Sequence, residues 1–169
     1  MTQRSAGLLV YRQGPAGVEV LIVHPGGPFW ARKDLGAWSL PKGQYTESEE
    51  PLAAAKREFA EEIGQPAPAG ELINLGEVKM KTGKIISAWA VGGDLDANTI
   101  KSNMVRLEWP PRSGKQLEFP EVDKAGWFDL ATAAQKLHPV QAELLGRLAK
   151  HLDIQVEAPA DPPEQSSLF

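Results

Sequence analysis

The sequence contains no cysteine, and only three of its 169 residues are histidine. The absence of cysteine excludes disulfide bridges and thiolate metal sites. A metal ion would therefore have to bind through oxygen atoms or through one of the few histidines. Such a donor set favours a hard cation.

Long apolar runs and an excess of positive charge are also absent. No apolar segment approaches the roughly 18 residues that a membrane helix requires, and residues 1–5 lack the apolar region of a signal peptide. We therefore expect a cytoplasmic protein without a membrane partner. The formal net charge of −4 argues against a nucleic-acid polymer as partner, because polymer-binding surfaces are usually basic. A small anionic substrate would need local cations or a metal to offset this charge.

The length and composition are typical of one globular domain. Hydrophobic residues make up 42% of the chain and charged residues 24%, so neither disorder nor a fibrous repeat is indicated. We predict a single domain over residues 1–155. Residues 156–169 are rich in proline, acidic residues and serine, and we predict a flexible tail there.

Alternating apolar residues predict strands in this chain, and apolar spacings of three and four residues predict helices. Two hairpins with glycine-containing turns are expected, over residues 5–12 with 18–24 and residues 71–80 with 84–91. Further strands are predicted at residues 37–40, 105–109 and 124–128, and helices at residues 51–63, 130–137 and 138–152.

The helix predicted over residues 51–63 carries the most informative acids. Its limits are marked by Pro51, which suits the first helical position, and by Gly64, which suits the position just past the end. At about 100° per residue, Glu58, Glu61 and Glu62 share one arc of roughly 100°. The helix therefore presents three carboxylates together.

An apolar stripe occupies another side of this helix. Leu52, Phe59 and Ile63 lie roughly 120° away from the acidic arc. We expect the stripe to be buried and the three acids to be exposed to a cleft.

The three acids predict a metal site. Adjacent carboxylates repel one another, so at least one pKa would rise without compensation. A divalent cation compensates, and oxygen ligands suit Mg²⁺ or Mn²⁺, which also bind substrate phosphates. Arg57 can reach Glu61 one turn further on, or fold back to Glu49, and either contact would orient a carboxylate. This chemistry favours phosphoanhydride hydrolysis.

Residues 43–65 resemble the Nudix box. That motif reads Gly, five residues, Glu, seven residues, then Arg-Glu-apolar-any-Glu-Glu-any-Gly-apolar. Every charged and glycine position matches from Gly43 onward, and Gln65 replaces the last apolar residue. An acidic helix is more often a solvated face, but the complete spacing favours a site. The resemblance implies an α/β protein, a Nudix-type α/β/α sandwich with a mixed β-sheet between helices, and this suits the predicted order of elements.

The resemblance also implies the roles of the helix residues. In this family the acids at Glu58, Glu61 and Glu62 serve the metals, and those at Glu58 and Glu61 share ligand and base duties. Glu49 and Arg57 provide support. The backbone carbonyl before the box glycine, here that of Lys42, commonly joins the coordination.

Residues outside the helix are candidates for the rest of the site. A loop acid often completes the metals or acts as base in this family, and Glu121 is preferred over Glu118. Lys42 is a candidate for holding phosphates, ahead of Lys79, Lys81 and Lys84, which are more often solvated near a hairpin. Trp30 and Tyr45, with Phe29, could stack on a base, although loop aromatics often cover core edges instead. His24 is expected to be structural.

Three functions remain open on this sequence. The leading hypothesis is hydrolysis of a nucleoside or dinucleoside polyphosphate, and the Pro41-Lys42-Gly43 segment is similar to the diadenosine and diphosphoinositol polyphosphate branches of the family. The alternatives are removal of damaged nucleoside triphosphates or nucleotide sugars, and a module that senses a nucleotide without cutting it. A homodimer is also compatible with the sequence.

Overall fold

The computed structural model describes residues 3–153, so the predicted tail at residues 156–169 lies outside the described residues. The strands are β1 (Arg4–Gly14), β2 (Gly17–Pro25), β3 (Lys42–Gln44), β4 (Leu72–Lys79), β5 (Ile85–Gly92), β6 (Met104–Glu108), β7 (Gln116–Pro120) and β8 (Val122–Asp129). The helices are α1 (Pro51–Ile63), α2 (Leu130–Lys136) and α3 (Pro139–His151), with a 3₁₀ turn at Ala97–Thr99.

Six strands form one mixed sheet. Its order is β4-β5-β1-β2-β8, and β3 pairs with β1 beside this path. The β1–β5 pair is parallel, whereas β1 pairs antiparallel with both β2 and β3. The two predicted hairpins, β1–β2 and β4–β5, are both confirmed.

The two faces of the sheet pack against different helices. Side chains alternate between faces along a strand. Leu9 of β1 accordingly joins the cluster that contains Leu144 and Leu148 of α3. Its neighbour Leu8 joins Phe59 of α1 on the opposite face. The predicted α/β/α sandwich is therefore confirmed.

The limits of the helices follow from their end residues. Pro51 stands at the start of α1, and Gly64 ends it in the left-handed conformation with φ of 82°. The Asp129 carboxylate accepts a hydrogen bond of 2.7 Å from the Thr132 N–H and caps α2.

Two strand predictions were wrong. In the segment 37–40, Trp38 and Ser39 form isolated bridges, with Leu137 and Val23 respectively. Strand β3 begins two residues after this segment, at Lys42. Strand β7 contains Glu118, which the sequence predicts to lie in a loop. It pairs with β6 as a separate two-stranded hairpin.

Within residues 3–153, no helix is both long and apolar enough to cross a bilayer.

Candidate active site

A cavity of about 320 Å³ opens where the partners of β1 diverge. The first half of β1 pairs with β3 through Ser5–Gly7, and the second half pairs with β2 through Tyr11–Gly14. The gap left between β3 and the end of β2 is the cavity. Its lining comprises Ser5, Val23, Pro25, Ser39, Lys42, Gly43, Gln44, Glu62, Lys84, Glu121 and Val122.

Glu62 is the buried acid of this cavity. Its relative exposure is only 5%. Burial, followed by the negative charge of Glu121, raises the pKa of Glu62 to about 9, although the nearby Lys42 opposes this. Within residues 3–153, Glu62 forms no salt bridge. The carboxylate therefore lies where a bound cation would favour its charged form.

Glu58 lies behind Gly43 and is 8% exposed. A Cβ atom at position 43 would overlap the Glu58 carboxyl group. The glycine that begins the motif is thus required by a close approach between β3 and α1. Burial raises the pKa of Glu58, and its contact with Arg57 partly opposes that rise.

Arg57 holds three carboxylates at once. Its guanidinium donates to both Glu49 oxygens at 2.7 and 2.9 Å, to Glu58 at 2.6 Å and to Glu61 at 2.9 Å. These hydrogen bonds raise the pKa of Arg57, with that to Glu49 contributing most. The sequence allowed a contact with Glu49 or with Glu61, and the structure has both.

The three acids were predicted to be exposed to a cleft, and Glu62 does line the cavity, but the predicted exposure was wrong for Glu58 and Glu62. Glu58 and Glu62 are buried, and Glu61 is the exposed member, with 42% of its side chain accessible. The reason is tertiary, because the edge of α1 that carries Glu58 and Glu62 packs against β3 and the cavity wall. Part of the acidic side of α1 is therefore buried, as the apolar side is.

Two lysines share the cavity with the acids. Lys42 and Lys84 both line it. His138 lies nearby, and its pKa is lowered mainly by burial and further by the positive charges of Lys42 and Lys81. Burial also lowers the pKa of Lys42, while Glu62 opposes this. Lys84 was expected to be solvated. Lys84 stands immediately before β5, and the sequence does not show that β5 pairs with β1. Without that pairing, the location of Lys84 at the cavity could not be predicted.

The two candidate loop acids, Glu118 and Glu121, lie in different places relative to the cavity. Glu121 follows β7 directly and lines the cavity with Glu62. Glu118 lies within β7, where it is exposed and pairs with Arg106 at 3.7 Å. Only Glu121 is thus brought to the other acids.

The predicted substrate aromatics lie elsewhere than this cavity. Tyr45 packs against the cluster of Ala6, Ala54 and Ala55 and lines separate surface grooves. Trp30 packs edge-on against Phe29, with ring centroids 4.9 Å apart, and against the core. Their placement indicates packing roles and does not support the predicted contacts with substrate.

His24 has the structural role expected from the sequence. It is 1% exposed, and its two ring nitrogens contact the Asp123 carboxylate at 2.9 Å and the Lys33 carbonyl at 2.6 Å. These contacts join the end of β2 to the following loop and to β8.

The NUDIX domain family model matches residues 1–148. This chain belongs to the Nudix family. It is a pyrophosphohydrolase that acts on acid anhydrides, as predicted from the motif. Nudix hydrolases generally use divalent metal ions.

Several solved structures have a similar fold. An Ap4A hydrolase from C. elegans in a binary complex has a TM-score of 0.59 and 18% identity, covering 88% of this chain and 98% of that chain. The NUDIX domain of Shewanella oneidensis NrtR complexed with ADP ribose has a TM-score of 0.62 and 17% identity, covering 90% and 89%. A MutT protein from Methanosarcina mazei Go1 has a TM-score of 0.58 and 18% identity, covering 89% and 95%. No curated protein sequence matches this chain significantly.

The site residues fit a divalent ion in their chemistry. The donors are carboxylates and backbone carbonyls, and the buried Glu62 lies close to the negative charges of Glu121 and Glu58. Within the described part of the chain, however, no three His, Asp or Glu side chains are grouped closely enough to enclose an ion by themselves. Water and substrate oxygens would complete the coordination of Mg²⁺.

Proposed function

We propose that this Nudix hydrolase cleaves a phosphoanhydride bond in a nucleoside diphosphate-linked substrate, such as a nucleoside or dinucleoside polyphosphate, with Mg²⁺ or Mn²⁺ as cofactor. One observation carries the proposal: Glu62 and Glu121 line the same cavity as Lys42 and Lys84. Acids bind the metal, and lysines bind phosphate oxygens. The cavity therefore offers both partners of a metal–phosphate complex.

Glu62 is the central metal ligand in this proposal. Glu58, Glu61 and the backbone carbonyl of Lys42 are the further ligands. A divalent ion supplies neutralisation of phosphate charge and makes water easier to deprotonate. Arg57 keeps the ligand carboxylates oriented through its hydrogen bonds to Glu58 and Glu61.

Glu121 is proposed as the general base. It shares the cavity with Glu62 and forms no salt bridge within residues 3–153. The water oxygen forms a bond to one phosphorus, and the proton of the water passes to Glu121. The bridging P–O bond breaks, and the leaving phosphate departs with the electron pair. Lys42 and Lys84 stabilise the phosphate oxygens as this charge moves.

The substrate class is supported by two kinds of observation. The segment Pro41-Lys42-Gly43 places a lysine at the cavity immediately before the box glycine. Among proteins of similar fold, one is described as an Ap4A hydrolase and another is complexed with ADP ribose. Ap4A and ADP-ribose both contain a phosphoanhydride linked to a nucleoside, which is the kind of bond that we propose is cleaved in the cavity.

Product analysis tests the reaction. The protein is incubated with MgCl₂ and with diadenosine tetraphosphate, ADP-ribose, nucleoside triphosphates or nucleotide sugars in ¹⁸O-labelled water. We expect nucleotide products, ¹⁸O on one phosphate, and no turnover in EDTA. Saturable binding without any product, in a preparation that binds Mn²⁺, would instead identify a nucleotide-sensing module.

The pair Glu121 and Glu118 tests the base. Glu121→Gln is expected to lower kcat by about 100-fold or more with a smaller change in KM, the range for a lost general base. Glu118→Gln is the matched control, because Glu118 lies on the hairpin with Arg106 and should keep wild-type turnover. Wild-type kcat in both variants would remove Glu121 from the reaction and make Glu58 the better candidate.

A further inference from the structure

The backbone around Glu121 is held from two sides. The Gly26 N–H donates to the Glu121 carbonyl at 2.9 Å, and the Glu121 N–H donates to the Asn103 carbonyl at 2.9 Å. Gly26 comes directly after β2, and Asn103 comes directly before β6. The acid that lines the cavity is thus fixed between the central sheet and the hairpin.

The same segment is tied to the end of helix α1. The Asn103 N–H donates to the Glu61 carbonyl at 2.9 Å, and the Lys101 N–H donates to the Ile63 carbonyl at 2.8 Å. Carbonyls in the last turn of a helix have no partners within the helix, so these bonds satisfy them. Backbone hydrogen bonds through Asn103 therefore connect Glu121 to the helix that carries Glu58, Glu61 and Glu62.

Gly26 allows the close approach on which this arrangement depends. It is buried, and a Cβ atom at its position would overlap the Pro120 carbonyl oxygen. Its φ lies outside the left-handed region, so contact rather than backbone conformation requires the glycine. Pro120 is the residue immediately before Glu121, and any side chain at position 26 must displace it.

We infer that Gly26 is a positioning residue for hydrolysis, which acts by holding Glu121 at the cavity through the Pro120 contact and the Glu121 hydrogen bond. The inference rests on the proposed role of Glu121. A misplacement of about 1 Å by a distant change can cost roughly 100-fold in rate. Glycine is therefore required at position 26 for the reaction as well as for the close packing against Pro120.

Steady-state kinetics on Gly26→Ala test this role, with Mg²⁺ and diadenosine tetraphosphate or whichever panel substrate the wild type cleaves fastest. We expect kcat to fall by between about 10-fold and about 100-fold with little change in KM, because the base moves while the phosphate contacts stay. Mn²⁺ affinity should stay at the wild-type value. Gly146→Ala is the matched control: a Cβ there meets no atom within 4 Å, so its kcat should be unchanged.

A double-mutant cycle separates positioning from general disruption. In a Glu121→Gln background, Gly26→Ala should have no further effect on kcat, since the group that it displaces is already absent. An equal loss in both backgrounds would overturn the inference, as would wild-type kcat in Gly26→Ala alongside a slow Glu121→Gln enzyme. Wild-type kcat in Glu121→Gln would instead overturn the base assignment, and the positioning role with it.

Ser102→Ala keeps the inference testable if Gly26→Ala does not fold. The Ser102 hydroxyl donates to the Asn103 carbonyl at 3.0 Å and accepts from the Val122 N–H at 3.0 Å, on either side of Glu121. Its loss should lower kcat by about threefold to tenfold in the wild-type background and leave the Glu121→Gln enzyme unchanged. A loss of equal size in both backgrounds would contradict the positioning role.

Discussion

Arg57 combines the acids of the motif into one unit. Its guanidinium contacts Glu49, Glu58 and Glu61 simultaneously, with the two Glu49 contacts in a bidentate arrangement. A planar fork of five N–H donors can satisfy three carboxylates, whereas a lysine ammonium offers three donors at one point. This explains why arginine, and not merely a positive charge, suits the position.

Arg57→Lys should therefore impair hydrolysis although the charge is kept. We expect kcat to fall by about tenfold or more, because Glu58 and Glu61 lose their fixed orientation. Lys56→Ala, at the exposed neighbouring position of the same helix, should leave kcat unchanged. Equal kcat values for Arg57→Lys and wild type would show that charge alone is needed there.

Glu62→Gln should abolish turnover and leave the fold intact. The Gln side chain keeps the shape of Glu62 and removes the negative charge that the metal needs. Circular dichroism should show an unchanged fold. Melting temperatures should show no rise on addition of Mg²⁺. Full Mg²⁺-dependent activity in this variant would contradict the metal assignment.

The same residue predicts a pH effect on the metal-free fold. The folded pKa of about 9 lies above the ordinary value of 4.5, so the folded state binds this proton more tightly than the unfolded state does. Stability in EDTA should consequently fall as the pH rises between these values. Glu62→Gln should show a smaller fall in melting temperature than the wild type over that window, and identical pH profiles would refute this cause.

At the scale of elements, α1 joins the core to the site. Phe59 is fully buried against β1 and β2 residues, while Glu58, one position earlier, reaches the site behind Gly43. The packing of Phe59 therefore determines where the acids of the same helix lie. Stability and site geometry are coupled through this one element.

Phe59→Ala should lower the free energy of unfolding by about 3 to 5 kcal/mol, the usual cost of truncating a fully packed phenylalanine. Leu52→Ala provides the comparison, because Leu52 is only partly buried and should cost less. Denaturant unfolding of both variants gives the two values. Equal costs would mean that the stripe is buried uniformly, as the sequence alone suggested.

The β6–β7 hairpin forms a small sheet separate from the six-stranded sheet. Leu107 and Leu117 face each other across it and are 44% and 38% exposed. Its base, by contrast, is bonded to the end of α1 through Asn103. The hairpin therefore contributes to the site mainly through its two ends, where Asn103 and Glu121 lie.

At the scale of the whole molecule, the site is built from distant parts of the chain. The cavity combines Ser5, Lys42, Glu62, Lys84 and Glu121, which come from five separate segments. Divergence of β2 and β3 from β1 opens the space, and the β1–β5 and β2–β8 pairings bring Lys84 and Glu121 to its edge. Global unfolding should therefore remove the entire site at once.

The predicted domain boundary leads to a test on the whole chain. The described helices end with α3 at His151, and Leu152 packs against the core. We expect a variant that lacks residues 156–169 to keep the wild-type melting temperature and kcat. A clear fall in either quantity would place part of that segment within the domain.

The features that depend on local spacing could be predicted from the sequence. The limits of α1 follow from Pro51 and Gly64, and the two main hairpins follow from alternation and turn residues. The motif at residues 43–65 predicted the family, because its charged and glycine residues match the spacing of the Nudix box. All of these signals extend over a few helical turns or one hairpin.

Features that depend on contacts between distant segments could not be predicted from the sequence. Helical geometry places Glu58, Glu61 and Glu62 on one arc, but only the packing of α1 against β3 buries two of them. Strand pairing likewise brings Glu121 to the cavity and leaves Glu118 on the hairpin. Burial and proximity are properties of the packed chain, since both arise when segments far apart in sequence exclude water from one another.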